Sequence, residues 1–135
     1  MKISMSTGYA TGYALLAAGY LAKHQEQKIV LSQDISKEYN IPLEYLLKIL
    51  NNLVRANVLR SKRGPHGGFS LARPPKKINL LQIIEAVEGP MNSNLNLEVN
   101  AKGEKLCKEI ERTYEKAIAQ AKNVFKNMTL SDLVK

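Results

Sequence analysis

The tripeptide Asn40-Ile41-Pro42 interrupts two short runs of helical periodicity, and this break constrains the fold of the chain more than any other feature. Proline lacks an amide hydrogen and is tolerated only at a helix start, so one helix must end before it and another begin there. The earlier helix is expected to start at Ser32 as N-cap, with Asp34 in the first turn where the dipole favours an acid, and to turn Ile35 and Tyr39 inward. After Pro42, apolar side chains recur at Leu43, Leu46, Leu47, Leu50, Leu53 and Val54, one face of a second helix. Two short helices joined by a turn of three or four residues make a helix-turn-helix. The opposite face of the second helix carries Glu44, Tyr45, Lys48, Asn51, Asn52 and Arg55.

Beyond Asn57 the period changes. Residues 58–62 and 68–72 read as two short strands, joined by Arg63-Gly64-Pro65-His66-Gly67, and glycine and proline at that density mark a hairpin loop. A hairpin directly after a helix-turn-helix is a wing. Pro74-Pro75-Lys76-Lys77 is expected to be an extended connector, and Asn79 to cap a helix carrying Leu80, Ile83, Ile84 and Val87, closed by Gly89-Pro90. Upstream, residues 6–23 form an amphipathic helix whose inward face is read as Tyr9, Tyr13, Leu16, Ala17, Tyr20 and Leu21. Ile29-Val30-Leu31 is a short apolar link or a minimal strand.

The C-terminal part is different in kind. Residues 91–100 are Asn-rich, offer no metal-binding side chain beyond Glu98, and read as a loop. A long helix is expected over 103–127, with Leu106, Ile110, Tyr114, Ala117, Ala121, Val124 and Met128 spaced mostly by three and four, as in a coiled-coil seam. At 1.5 Å per residue it is roughly 37 Å long, too long to bury its whole seam on so small a core. Pairing with its copy in a second subunit would cover it. Thr129-Leu130-Ser131-Asp132 has the form of a capping box, with Asp in place of Glu.

The chain is expected to be mainly α with a small β-wing. Residues 1–78 form a winged helix-turn-helix region, and residues 79–135 a connecting helix, loop and dimerisation helix within one integrated fold. Its 135 residues fit one domain plus an appendage, and 44% hydrophobic residues argue against wholesale disorder. No apolar stretch approaches the roughly 20 residues of a bilayer span, and the N-terminus does not read as a signal peptide. A single cysteine, Cys107, excludes an internal disulfide framework and fits a reducing cytoplasm.

Charge points to a partner. Twenty Lys and Arg against twelve acids leave +8. Residues 23–77 hold eleven of those cations and only four acids, Glu26, Asp34, Glu38 and Glu44. Basic groups on phosphates release condensed counterions, so a polyanion such as double-stranded DNA would sit against this part of the chain. In a major groove, Glu44 could accept from a cytosine amino group, Asn51 or Asn52 pair with adenine, and Lys48 meet guanine or a phosphate. Tyr45 suits a phosphate or a thymine methyl. Arg60, Lys62, Arg63, His66 and Arg73 lie in or beside the hairpin, and an Arg on a glycine-rich tip can enter a narrow minor groove. An enzyme is not expected. His24, His66 and Cys107 form no catalytic arrangement, no zinc-ligand cluster exists, and residues 64–68 lack the Gly-Lys-Ser/Thr ending of a phosphate loop.

These residues carry a resemblance. Arg63-Gly64-Pro65-His66-Gly67-Gly68-Phe69-Ser70-Leu71-Ala72-Arg73-Pro74 resembles the wing signature of the Rrf-type regulators, the family of IscR, NsrR and CymR. Tyr13-Ala14-Leu15 with Leu21-Ala22, residues 41–53 with Tyr45-Leu46, residues 84–90 and residues 129–133 extend it over nearly the whole chain. The resemblance implies a homodimer with long crossed helices, binding a near-palindromic operator, usually as a repressor. Three departures stand out. Relatives often carry Glu or Gln at the place of Leu47 and Gln at that of Lys48, so the bases read could differ. The usual wing-tip glycine is His66. Cluster-bearing relatives place three cysteines before the long helix, whereas residues 91–100 have none. An iron–sulfur cluster needs three or four soft ligands, so none is expected here. Cys107, near the place of the family's last ligand, is either a small residue buried beside the dimer seam, a remnant or a thiol sensor. The signal could be an oxidant at that thiol, a small-molecule effector in a pocket between domains, or a partner enzyme. The rival to DNA binding is a winged-helix adaptor that docks on a partner enzyme or regulator.

Overall fold

Small side chains, rather than large ones, form the inward face of the first helix. The computed structural model describes residues 9–65, 67–92, 95 and 104–135. In it α1 spans Ala10–Lys23, and its buried residues include Ala14, Ala17, Ala18, Leu21 and Ala22. The helix packs against four others, and small side chains let their backbones approach closely. The inward face read from the sequence is corrected accordingly. Ala17 and Leu21 belong to it and Tyr13 and Tyr20 are half-buried, but Leu16 and Tyr9 are exposed. The expected start at Ser6 lies outside the described residues.

The next two helices are α2 (Ser32–Tyr39) and α3 (Leu43–Arg55). Ser32 does not cap α2. It is the first helical residue, with Leu31 extended before it and no side-chain cap, because the strand-like backbone at Val30 leaves a single residue for the change of direction. Asn40 closes α2 in the left-handed conformation, and Ile41 then buries fully before Pro42 opens α3. The core face of α3 is Leu46, Ile49, Leu50 and Leu53. Ile49 was not part of the face expected from sequence, and Leu43, Leu47 and Val54 are only half-buried.

The wing strands β1 (Leu59–Lys62) and β2 (Gly68–Leu71) pair antiparallel, Leu59 with Leu71 and Lys62 with Gly68. Cross-strand partners share a face, so Leu59 and Phe69 turn inward while Arg60 and Lys62 turn out. An isolated bridge between Val30 and Phe69 adds the apolar link as a third edge. Pro75–Lys77 is a 3-10 turn rather than the expected extended connector. Proline's fixed φ suits either conformation, and the burial of Ile78 directly behind it favours the compact one.

Asn79 caps α4 (Leu80–Glu88), as its sequence position implied, and the structure adds a reciprocal capping box with Gln82. Ile84, Met91 and Ile118 bury against one another and fasten α5 (Lys105–Lys126) to α4. Thr129 and Asp132 form the second capping box, at the start of α6 (Leu130–Val134). This last helix returns to the main core: Leu130 is fully buried, its amide donates to the Ile78 carbonyl at 2.9 Å, and α6 packs on α1. The first and last thirds of the chain therefore share one core. No helix among the described residues is long and apolar enough to cross a membrane.

Candidate nucleic-acid interface

Four side chains on the outer surface of α3 share one stripe. Glu44, Lys48, Asn51 and Arg55 are spaced four, three and four residues apart, close to whole helical turns, and all four are exposed. The apolar face opposite them holds the helix by Leu46, Leu50 and Leu53, so the stripe is presented on a rigid support. Asn52 sits beside the stripe and differs from Asn51. It is half-buried, and its Oδ1 accepts a hydrogen bond from the Arg55 guanidinium. Bidentate recognition of adenine uses both the oxygen and the amino group of an amide, so Asn51 is the better placed of the two.

Tyr45 is positioned from outside the helix. Its ring meets Tyr13 of α1 edge-on at 5.7 Å, and Tyr13 in turn stacks on Tyr9 at 5.5 Å. Edge-to-face pairs of this kind contribute about 0.5–1.5 kcal/mol beyond area burial. Tyr45 is still 37% exposed, so its outer part is open to a partner. The sequence reading did not identify this prop, because a contact between distant tyrosines leaves no periodic signal.

The wing supplies the cations. Arg60 and Lys62 lie on its outer face and Arg63 follows at the tip, all exposed. The turn is made by Gly64 at φ 106°, a conformation that side chains disfavour, and is closed by the Gly67 amide on the Gly64 carbonyl at 2.9 Å. His66 lies outside the described residues. Arg73, grouped with the wing cations on sequence, is half-buried at the base instead. Its Nη1 donates to the Asn57 carbonyl at 2.6 Å, tying the strand exit to the turn that follows α3.

Along α5 the expected seam is largely uncovered within one chain. Leu106 is 62% and Val124 65% exposed, with Ile110, Tyr114 and Met128 also open, while Ala121 packs beside Ile118. Cys107 lies on this helix and is half-buried rather than buried. No group of three or more His, Cys, Asp or Glu side chains that could hold a metal occurs among the described residues.

Residues 8–135 match the Rrf2 family, described as an iron-dependent transcriptional regulator. The regulator IscR of Cereibacter sphaeroides is 37% identical over 93 residues, 69% of this chain and 59% of that protein. NsrR of Oceanobacillus iheyensis is 28% identical over 130 residues, 93% of this chain and 86% of its own length. Other curated relatives are matched over 50–55% of their length. Among solved structures, CymR, the global cysteine regulator of B. subtilis, superposes with a TM-score of 0.80 at 29% identity, covering 99% of this chain and 96% of that one. A helix-turn-helix with an exposed polar stripe, a cationic wing beside it and a family match over nearly every residue agree: the chain belongs to the Rrf2 family and is a DNA-binding transcription regulator.

Proposed function

We propose that the protein is a cytoplasmic, non-enzymatic repressor that occupies a near-palindromic operator as a homodimer. The observation that carries this reading is the exposed stripe Glu44, Lys48, Asn51 and Arg55 beside the outward cations Arg60, Lys62 and Arg63. In this reading Glu44, Tyr45, Lys48 and Asn51 meet base edges in the major groove, Asn52 and Arg55 brace them or reach phosphates, Arg63 enters the adjacent minor groove, and His66 adds a phosphate contact. The open apolar seam of α5 supports dimerisation, since a second copy would cover it and set two wings a fixed distance apart.

We also propose that the protein works without an iron–sulfur cluster. A cluster draws three or four ligands, mainly thiolates, and the sequence holds one cysteine. The donor set does not fit the group, whatever the family description implies for other members. Anaerobic incubation with ferrous iron and sulfide, followed by desalting, should leave a colourless protein with unchanged DNA affinity. A stable visible absorbance with stoichiometric iron would overturn this part of the reading.

The operator reading is tested by incubating purified protein with sheared genomic DNA at moderate salt and sequencing the bound fragments. An enriched dyad is the expected outcome. Featureless binding that vanishes as salt rises would refute sequence-specific regulation.

A further inference from the structure

At the end of the wing away from its tip lies an open recess of about 350 Å³. Its floor includes Leu21 and Val30, both buried, and Pro74 lies at one side. Gln27, Lys28 and Arg73 also line it, and none of its described lining residues is acidic. Small-molecule sites fall in the range of about 300–1,000 Å³ and combine an apolar wall with a few polar groups that fix orientation. Two cations over an apolar floor, without a neutralising carboxylate, suit a small anion with an apolar body. We propose that this recess binds such a molecule, a carboxylate or a phosphate ester, as an effector.

Arg73 links the recess to α3. A guanidinium has five N–H donors, and one of them is committed to the Asn57 carbonyl at 2.6 Å. Asn57 lies two residues beyond Arg55, the last residue of α3, so an anion drawing on Arg73 pulls at the end of the helix that carries the polar stripe. The recess also joins two segments that otherwise meet through the Val30–Phe69 bridge: the link after α1, with Lys28, and the end of β2, with Arg73. It is not a continuation of the DNA-facing wing tip. Leu71, at its edge, pairs with Leu59, whereas the tip closes at Lys62 and Gly68, about 10 Å away along the strands. The effector role rests on the operator reading; ligand binding itself does not.

The test is a titration of the ¹⁵N-labelled full-length protein with phenylacetate and with phenyl phosphate, taking benzyl alcohol as the uncharged analogue. Saturable amide shifts centred on residues 25–30 and 70–74, with smaller ones at 55–58 behind the Arg73–Asn57 bond, are expected with at least one anion, and the tighter of the two identifies the charged group preferred. Lys28 is exposed on a link, so Lys28→Glu should keep a dispersed spectrum and weaken the anion at least tenfold. Absence of saturable shifts, shifts centred on the α5 seam, equal binding of benzyl alcohol, or indifference to Lys28→Glu would each overturn the site. In a parallel binding assay on enriched genomic fragments, saturating anion should change DNA affinity at least threefold. Amide shifts with no change in DNA affinity would overturn the effector role while leaving operator binding intact. Absence of specific DNA binding by the anion-free protein would instead count against the operator reading.

Discussion

Val30 and Phe69 exchange both of their backbone hydrogen bonds, the Val30 amide on the Phe69 carbonyl at 2.9 Å and the reverse at 2.8 Å. A two-stranded hairpin in water is marginally stable on its own. This pair anchors the wing to the segment between α1 and α2, and Phe69 adds a side chain buried in the main core. The orientation of Arg63 relative to α3 thus depends on an exchange several ångströms behind the tip.

Gly68 is the position at which that anchor is easiest to disturb. A Cβ there would lie 2.5 Å from both the Val30 carbonyl oxygen and Ile29 Cγ2. Backbone atoms cannot step aside without breaking the Val30–Phe69 pair. Gly68→Ala should therefore destabilise the fold by about 1–3 kcal/mol, the usual range for forced overpacking. It should also lower DNA affinity by more than the stability loss accounts for. Urea unfolding monitored by circular dichroism, with fragment binding at a temperature where the variant is folded, reads both. An unchanged midpoint would mean that the wing moves freely against Val30.

Arg63→Ala removes one exposed tip cation without touching the core. If Arg63 lies on the DNA, affinity should fall and the slope of log affinity against log salt should shrink by about one. If it reads the narrow groove, the loss should be greatest on sites with a central A·T tract. Lys48→Ala, on the stripe, should instead relax preference at one or two base positions. Binding isotherms over a salt series separate these outcomes, and an unaltered slope for Arg63→Ala would remove the wing tip from the interface.

The α5 seam should fail in a different manner. Ile110 is exposed within one chain, so Ile110→Asp costs the monomer fold little, yet it places a charge where two copies would meet. Sedimentation equilibrium should show a dimer for the unmodified chain and a monomer for the variant, with DNA affinity reduced to that of a single half-site. A variant that stays dimeric would place the subunit contact elsewhere.

What could be read from sequence follows from how local each signal is. The break at Pro42, the cap at Asn79, the capping box at Thr129 and the glycine-rich turn before Gly68 are set by neighbours within four residues, and all are present in the structure. Leu16 was read as inward and Ala18 left out of the face because periodicity weighs side chains by size. A helix crowded by four others instead selects small residues, and Ala18 is fully buried while Leu16 is 41% exposed. Arg73 and Tyr13 were unreadable for another reason. Their roles depend on Asn57 and Tyr45, partners that only the tertiary fold brings near. The stripe on α3 was legible as a set, while the difference between Asn51 and Asn52 emerged only with the Arg55 side chain in place.

The terminal capping box offers a test in acid. The Asp132 carboxyl is held below the usual carboxylate range, first by the backbone amide of Thr129 and then by the Thr129 side chain, with Lys135 adding to the effect against a small opposing desolvation. A depressed carboxylate supports the fold above its ordinary pKa and loses that contribution as pH falls through the lowered value. The last turn should therefore hold at neutral pH and loosen only below about pH 4. Because α6 seats Leu130 in the core and bonds back to Ile78, loosening should expose the α1 surface beneath it. The amides of Thr129 and Asp132 should lose protection together with carboxyl protonation, and Asp132→Asn should remove that acid step. Thr129→Ala, which deletes the other half of the box, should cost about 1 kcal/mol at neutral pH, as N-cap losses do. Carboxyl chemical shifts followed against pH decide the matter. An Asp132 midpoint equal to that of an unstructured aspartate would mean that the box does not form in solution and that Leu130 is held by packing alone.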